Sequence, residues 1–128
     1  MAKLSESSVE ALVIAVLSVG GWPPERVVSS LPALRAAGVT APNAVADMDL
    51  GVLTVALAKN GYSRGLLTST YAERLQAVMR EVASAQLDGL PELVRSGDQD
   101  AFVRRLVQIH GVGPKVASRA WELMTKSD

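Results

Sequence analysis

The run Ala11-Leu12-Val13-Ile14-Ala15-Val16-Leu17 constrains the fold more than any other stretch, because it gives water no polar face on which to rest. Ser7-Ser8-Val9-Glu10 ahead of it fits a capping box, and Gly20-Gly21 behind it supplies a stop. The spacing therefore predicts a helix over roughly 8–19. A helix that is apolar nearly all round belongs at the centre of a domain, with the remaining segments packed about it. The run is too short to cross a bilayer, and Glu6 and Glu10 argue against a secretory leader. The expectation is a buried helix in a cytoplasmic protein.

Beyond this run the chain reads as a succession of further helices. Trp22-Pro23-Pro24 makes a stiff turn, and Pro24 suits the first position of a helix to about Ser30. Pro32 is expected to begin a separate piece ending at Gly38, and Thr40-Ala41-Pro42 a short segment through Met48. Asp47 or Asp49 can cap a helix over 49–59, which Asn60-Gly61 closes. Tyr62 to Thr70 reads as a loop, with Thr68 or Ser69 capping a long helix to about Ala85 in which Tyr71, Leu75, Val78, Met79 and Val82 recur at helical spacing. Asp88-Gly89 ends it and Pro91 starts a short turn of helix. Two amphipathic helices then close the chain, over about 99–109 with Phe102, Val103, Leu106 and Ile109 inward, and about 114–125 with Val116, Ala117, Ala120, Leu123 and Met124 inward.

Length agrees with one all-α domain over 1–128, a multi-helix barrel or bundle. With 48% hydrophobic residues and only 4% aromatic, its core has to be aliphatic and alanine-rich. Cysteine is absent, which excludes disulfides, cysteine zinc sites and cysteine-ligated iron–sulfur clusters. A formal net charge of zero means that any surface for a polyanion must be local. From Arg95 to the C-terminus six basic side chains face four acidic ones, Asp128 among them, a small excess in the right place.

Between the last two helices stands Ile109-His110-Gly111-Val112-Gly113-Pro114-Lys115. Glycines one residue apart allow a sharp turn while the first amides of the following helix stay free, an anion-binding arrangement. The hydrophobic residues at 109 and 112 and Ala117 on the next helix make this stretch resemble a helix-hairpin-helix motif. Upstream, Ala11 to Ser18, Leu57-Ala58-Lys59-Asn60-Gly61-Tyr62 and Tyr71-Ala72-Glu73-Arg74-Leu75 resemble successive elements of the helix-hairpin-helix DNA glycosylases, the endonuclease-III-like superfamily of base-excision repair. That resemblance covers nearly the whole chain, although its specific residues lie in the hairpin.

The resemblance implies DNA binding through Gly111, Val112 and Gly113, with His110, Lys115 and Arg119 beside them. In bifunctional members a lysine after the turn attacks the sugar, and Lys115 matches it; the alternative role for Lys115 is phosphate contact. Trp22 and Tyr62 lie on the loops from which the family inserts wedges into the base stack, and each can equally pack on its own core. His110 is expected to hydrogen-bond backbone or phosphate, since a lone histidine cannot build a metal site. No organic cofactor is implied, but carbonyls of such a turn can coordinate potassium or sodium. The family's aspartate lies farther beyond the lysine than this sequence extends, Asp128 being too close, and its glutamine after the first helix is replaced by Val19-Gly20-Gly21-Trp22. The resemblance leaves three readings: a DNA-binding protein, a minimal glycosylase or abasic-site lyase using Lys115, and an inactive barrel that meets a protein partner or a second copy on its uncovered side. None involves a membrane.

Overall fold

The computed structural model describes residues 4–127. Its first helix, α1 (Glu6–Leu17), buries Ser8, Val9 and every residue from Ala11 to Leu17. The central placement expected from the apolar run is what the chain adopts. The start is two residues earlier than the capping-box pattern suggests, because Ser5, not Ser7, caps it, its hydroxyl accepting from the Ser8 amide at 3.2 Å. Glu10 is drawn away from that box by Arg35, which donates to it at 2.5 and 2.9 Å.

Helix α2 (Pro24–Ala36) runs straight through Pro32, where the sequence pattern predicts two separate pieces. Proline removes one backbone donor but holds a φ that a helix can use. The cost is offset by Val27, Leu31 and Leu34, which share one buried face. Helix α3 (Pro42–Ala46) is short, and α4 (Leu50–Lys59) is capped by Asp49, whose carboxylate accepts from the amides of Gly51 at 2.9 Å and Val52 at 3.3 Å.

A 3-10 turn over Gly65–Leu67 then leads directly into α5 (Thr68–Ala83). Neither Thr68 nor Ser69 caps that helix as expected, because the Thr68 hydroxyl accepts from the Arg64 amide at 2.7 Å and so pins the preceding loop. Buried Gln76 on α5 donates to the carbonyls of Val45 at 3.1 Å and Met48 at 2.6 Å, satisfying the end of α3 from inside the core.

Helices α6 (Leu90–Ser96), α7 (Gln99–Val107) and α8 (Pro114–Ser127) complete the architecture. Asp98 caps α7 through the Ala101 amide at 3.2 Å. Every one of these eight helices contributes residues to one core cluster, and no strand occurs among the described residues. The central α1 packs against α8, α5 and α2, while α7 packs on α8. The last hairpin is thereby braced on the middle of the molecule. Ala117 and Ala120, both fully buried, let its second helix approach closely. Among the described residues no helix is long and apolar enough to cross a membrane; Asp128 lies outside them.

Candidate nucleic-acid interface

The turn between α7 and α8 is fixed by its apolar residues. Ile109 and Val112 are buried, and they are joined by a hydrogen bond from the Val112 amide to the Ile109 carbonyl at 3.0 Å. Burial turns the Val112 side chain away from solvent and its amide is taken by Ile109, so as placed neither is offered to a ligand. Gly111 has a φ of +85°, and a Cβ there would lie 2.9 Å from Cγ of Arg74. The fold itself therefore demands glycine at 111.

Gly113 is different. Its φ lies outside the left-handed region, and a Cβ built on it would meet nothing within 4 Å. No feature of the folded chain requires glycine here. Its carbonyl accepts from the Ala117 amide at 3.1 Å, which makes it the residue that opens α8. Among the described residues the amides of Gly113, Lys115 and Val116 have no acceptor, and Pro114 has no N–H to offer. The helix thus ends in free donors, reinforced by the positive pole of its dipole, behind a residue with no side chain.

Two open grooves meet at this point, sharing Val19, Gly20, Pro114 and Lys115. One, of about 940 Å³, follows the turn past Tyr71, Arg74 and His110. The other, of about 690 Å³, runs between α8 and the 18–24 loop, with Trp22 on one side and Ser118, Arg119 and Glu122 on the other. Among the described residues Arg74, Lys115 and Arg119 line them against a single carboxylate, Glu122, so a chain of zero net charge carries a local excess of positive charge here. Lys115 and His110 are exposed, whereas Arg119 is half-buried and donates to the Ser18 hydroxyl at 3.4 Å.

Of the two aromatic residues expected as wedges, Tyr62 is in the core, 1% exposed, with its hydroxyl donating to the Leu17 carbonyl at 2.6 Å. Burial pushes its phenol up, against the opposing pull of Arg64. As placed, this ring cannot reach a base stack. Trp22 is half-buried, edge-on to Tyr62 at 5.1 Å, with the Arg26 guanidinium 4.1 Å from its ring centre. Its Nε1 is buried without a partner among the described residues. Trp22 is a groove wall as well as a lid on the core.

Two arginines that the sequence did not single out complete the site. Arg64 donates to the carbonyls of Val19 at 3.0 Å and Gly20 at 2.6 Å and to the Tyr62 hydroxyl at 3.2 Å, while its guanidinium lies 4.3 Å from the Tyr71 ring centre. It ties the loop that floors both grooves to the 3-10 turn. Arg74 lays its stem against Gly111 and lines the hairpin groove. Arg64 sits in a stretch without periodicity, so its distant partners left no mark in the sequence; Arg74 occupies a polar position of an amphipathic helix, indistinguishable there from a solvated side chain. Among the described residues no group of three or more His, Asp or Glu side chains is placed to hold a metal ion. Compared with protein-family models, with characterised proteins and with solved structures, the chain matches none.

Proposed function

We propose that this chain is a DNA-binding domain of the helix-hairpin-helix glycosylase type, holding the sugar–phosphate backbone against the N-terminus of α8. The observation that carries this reading is Gly113: a glycine that neither conformation nor packing requires, standing before free amides. Glycine in that situation suits the close approach of a ligand to the backbone, and an anion is the ligand those donors favour. Arg74, Lys115 and Arg119 supply charge around it without supplying base recognition, so the binding is directed by backbone and shape.

Gly113→Asp separates binding from folding. Aspartate is a favoured residue at the start of a helix, where its carboxylate complements the dipole, so this variant is expected to melt no lower than the parent. The same carboxylate occupies the anion's place. Fluorescence anisotropy with a labelled duplex at low salt should give affinity at least about tenfold weaker, the cost of losing a charge-assisted contact. Undiminished affinity in this variant would refute the phosphate cradle.

A second reading, an abasic-site lyase, draws on the position of Lys115 in the groove beside Trp22 and Arg119. The amine would attack the sugar C1′ aldehyde and lose water to give an iminium that borohydride reduces. Trapping on abasic DNA should then yield a covalent adduct absent from Lys115→Ala. If no adduct forms, or the variant traps equally, Lys115 is a phosphate contact only.

A further inference from the structure

The run from Ala11 to Leu17 in α1 is uncharged and buried throughout. Helix α4 is likewise uncharged, from Leu50 to Ala58, but packed on α5 it buries Leu53 and Leu57 while its other residues are half-buried or exposed. Helical spacing sets Val52, Val55 and Lys59 on the face turned away from those two leucines. The valines are 57% and 51% exposed. A helix that is apolar on every side is ordinarily covered on every side, so the outer face of α4 calls for a partner. Charge stands at its two ends with opposite sign. Asp49 caps the start, its Oδ1 accepting from the Gly51 and Val52 amides, and Lys59 closes the end. Among the described residues neither has an ion-pair partner.

Such a face is complementary to itself. Asp49 and Lys59 stand equally far in sequence from Thr54. When two copies of α4 lie antiparallel about a two-fold axis near Thr54, each Lys59 meets the other's Asp49, the valines cover one another, and the helix dipoles oppose. A partner of one charge sign would match one end and be repelled at the other. From this self-complementarity we infer that α4 is the face through which two copies of this chain associate. Ten residues of helix span about 15 Å, well short of a standard interface. The association is accordingly weak, with a dissociation constant on the order of 0.1 mM. Helix α4 lines neither hairpin groove, so the inference is independent of DNA binding.

Because the chain has no cysteine, a single introduced thiol reports contact between copies. Val55→Cys lies beside the proposed axis, and Val28→Cys on α2, where the parent valine is 49% exposed, is a control of similar access. Under mild oxidation of the full-length protein, disulfide-linked dimer should form at least about tenfold faster from Val55→Cys than from Val28→Cys. Sedimentation of the parent should show a mass that rises with concentration. Val55→Glu, an exposed change whose fold circular dichroism verifies, should remain a monomer over the same range. Lys59→Glu sets like charges together at both ends and should weaken association at least about fivefold. Equal cross-linking rates, a parent that stays monomeric at about 1 mM, or undiminished association of Val55→Glu would overturn the inference.

Discussion

At the scale of single residues, the two glycines of the hairpin carry different obligations although they are two positions apart. Gly111 answers to the fold, through its backbone conformation and the stem of Arg74, and Gly113 answers to nothing inside the molecule. The pattern alone could not separate them, because glycine spacing reports a turn and not which residue bends it. Tyr62 teaches the same lesson. Its place in a Gly-aromatic turn leaves both a wedge and a core-packing ring open, and the Leu17 carbonyl, forty-five residues away in sequence, decides for the core by holding its hydroxyl there. Tyr62→Phe therefore leaves that carbonyl and Arg64 short of a partner and should destabilise the chain by about 1–2 kcal/mol in urea unfolding. Its affinity for duplex DNA should stay within about twofold of the parent. A loss of affinity without loss of stability would return Tyr62 to the DNA surface.

At the scale of elements, hydrophobic spacing locates the helices, and local chemistry sets their ends only where no distant partner competes. Asp49 caps α4 as its position suggests, because nothing else claims its carboxylate. Glu10 fits a capping box on paper, yet Arg35 of α2 takes it, and the start of α1 moves to Ser5. That ion pair couples two helices and makes their packing depend on pH. Hydrogen bonding to Arg35, with its charge, holds the Glu10 carboxyl below the usual carboxylate range against the opposing effect of burial. A carboxyl lowered on folding contributes stability above its unfolded value, and the contribution is lost as pH falls through the lowered one. Denaturation midpoints of the parent and Arg35→Met should therefore differ at neutral pH and converge toward about pH 3. A gap that is constant over this range would mean that Arg35 acts through packing alone. Pro32 marks a boundary by propensity; the buried face of Val27, Leu31 and Leu34 overrides it.

For the whole molecule, the seven apolar residues of α1 are sufficient to place the centre, and the order of helices around it follows from amphipathic spacing. The all-helical class was legible for that reason. The candidate site was legible only in its hairpin. Its other half comes from the 18–24 loop, Arg64 and Arg74, which the fold brings beside α8 from far along the chain. Charge shows the same limit: a sum of zero conceals three cations gathered in two adjoining grooves. A neutral molecule that binds DNA through so few cations should bind weakly and with a shallow dependence on salt. The decisive experiment is the affinity for a labelled duplex across a series of salt concentrations. Phosphate held at the start of α8 by these groups predicts a plot of log affinity against log salt with a slope of about −3, falling in magnitude by about 0.9 in Lys115→Ala. Absence of binding at low salt, or a slope that Lys115→Ala leaves unchanged, would rule out backbone binding at this site.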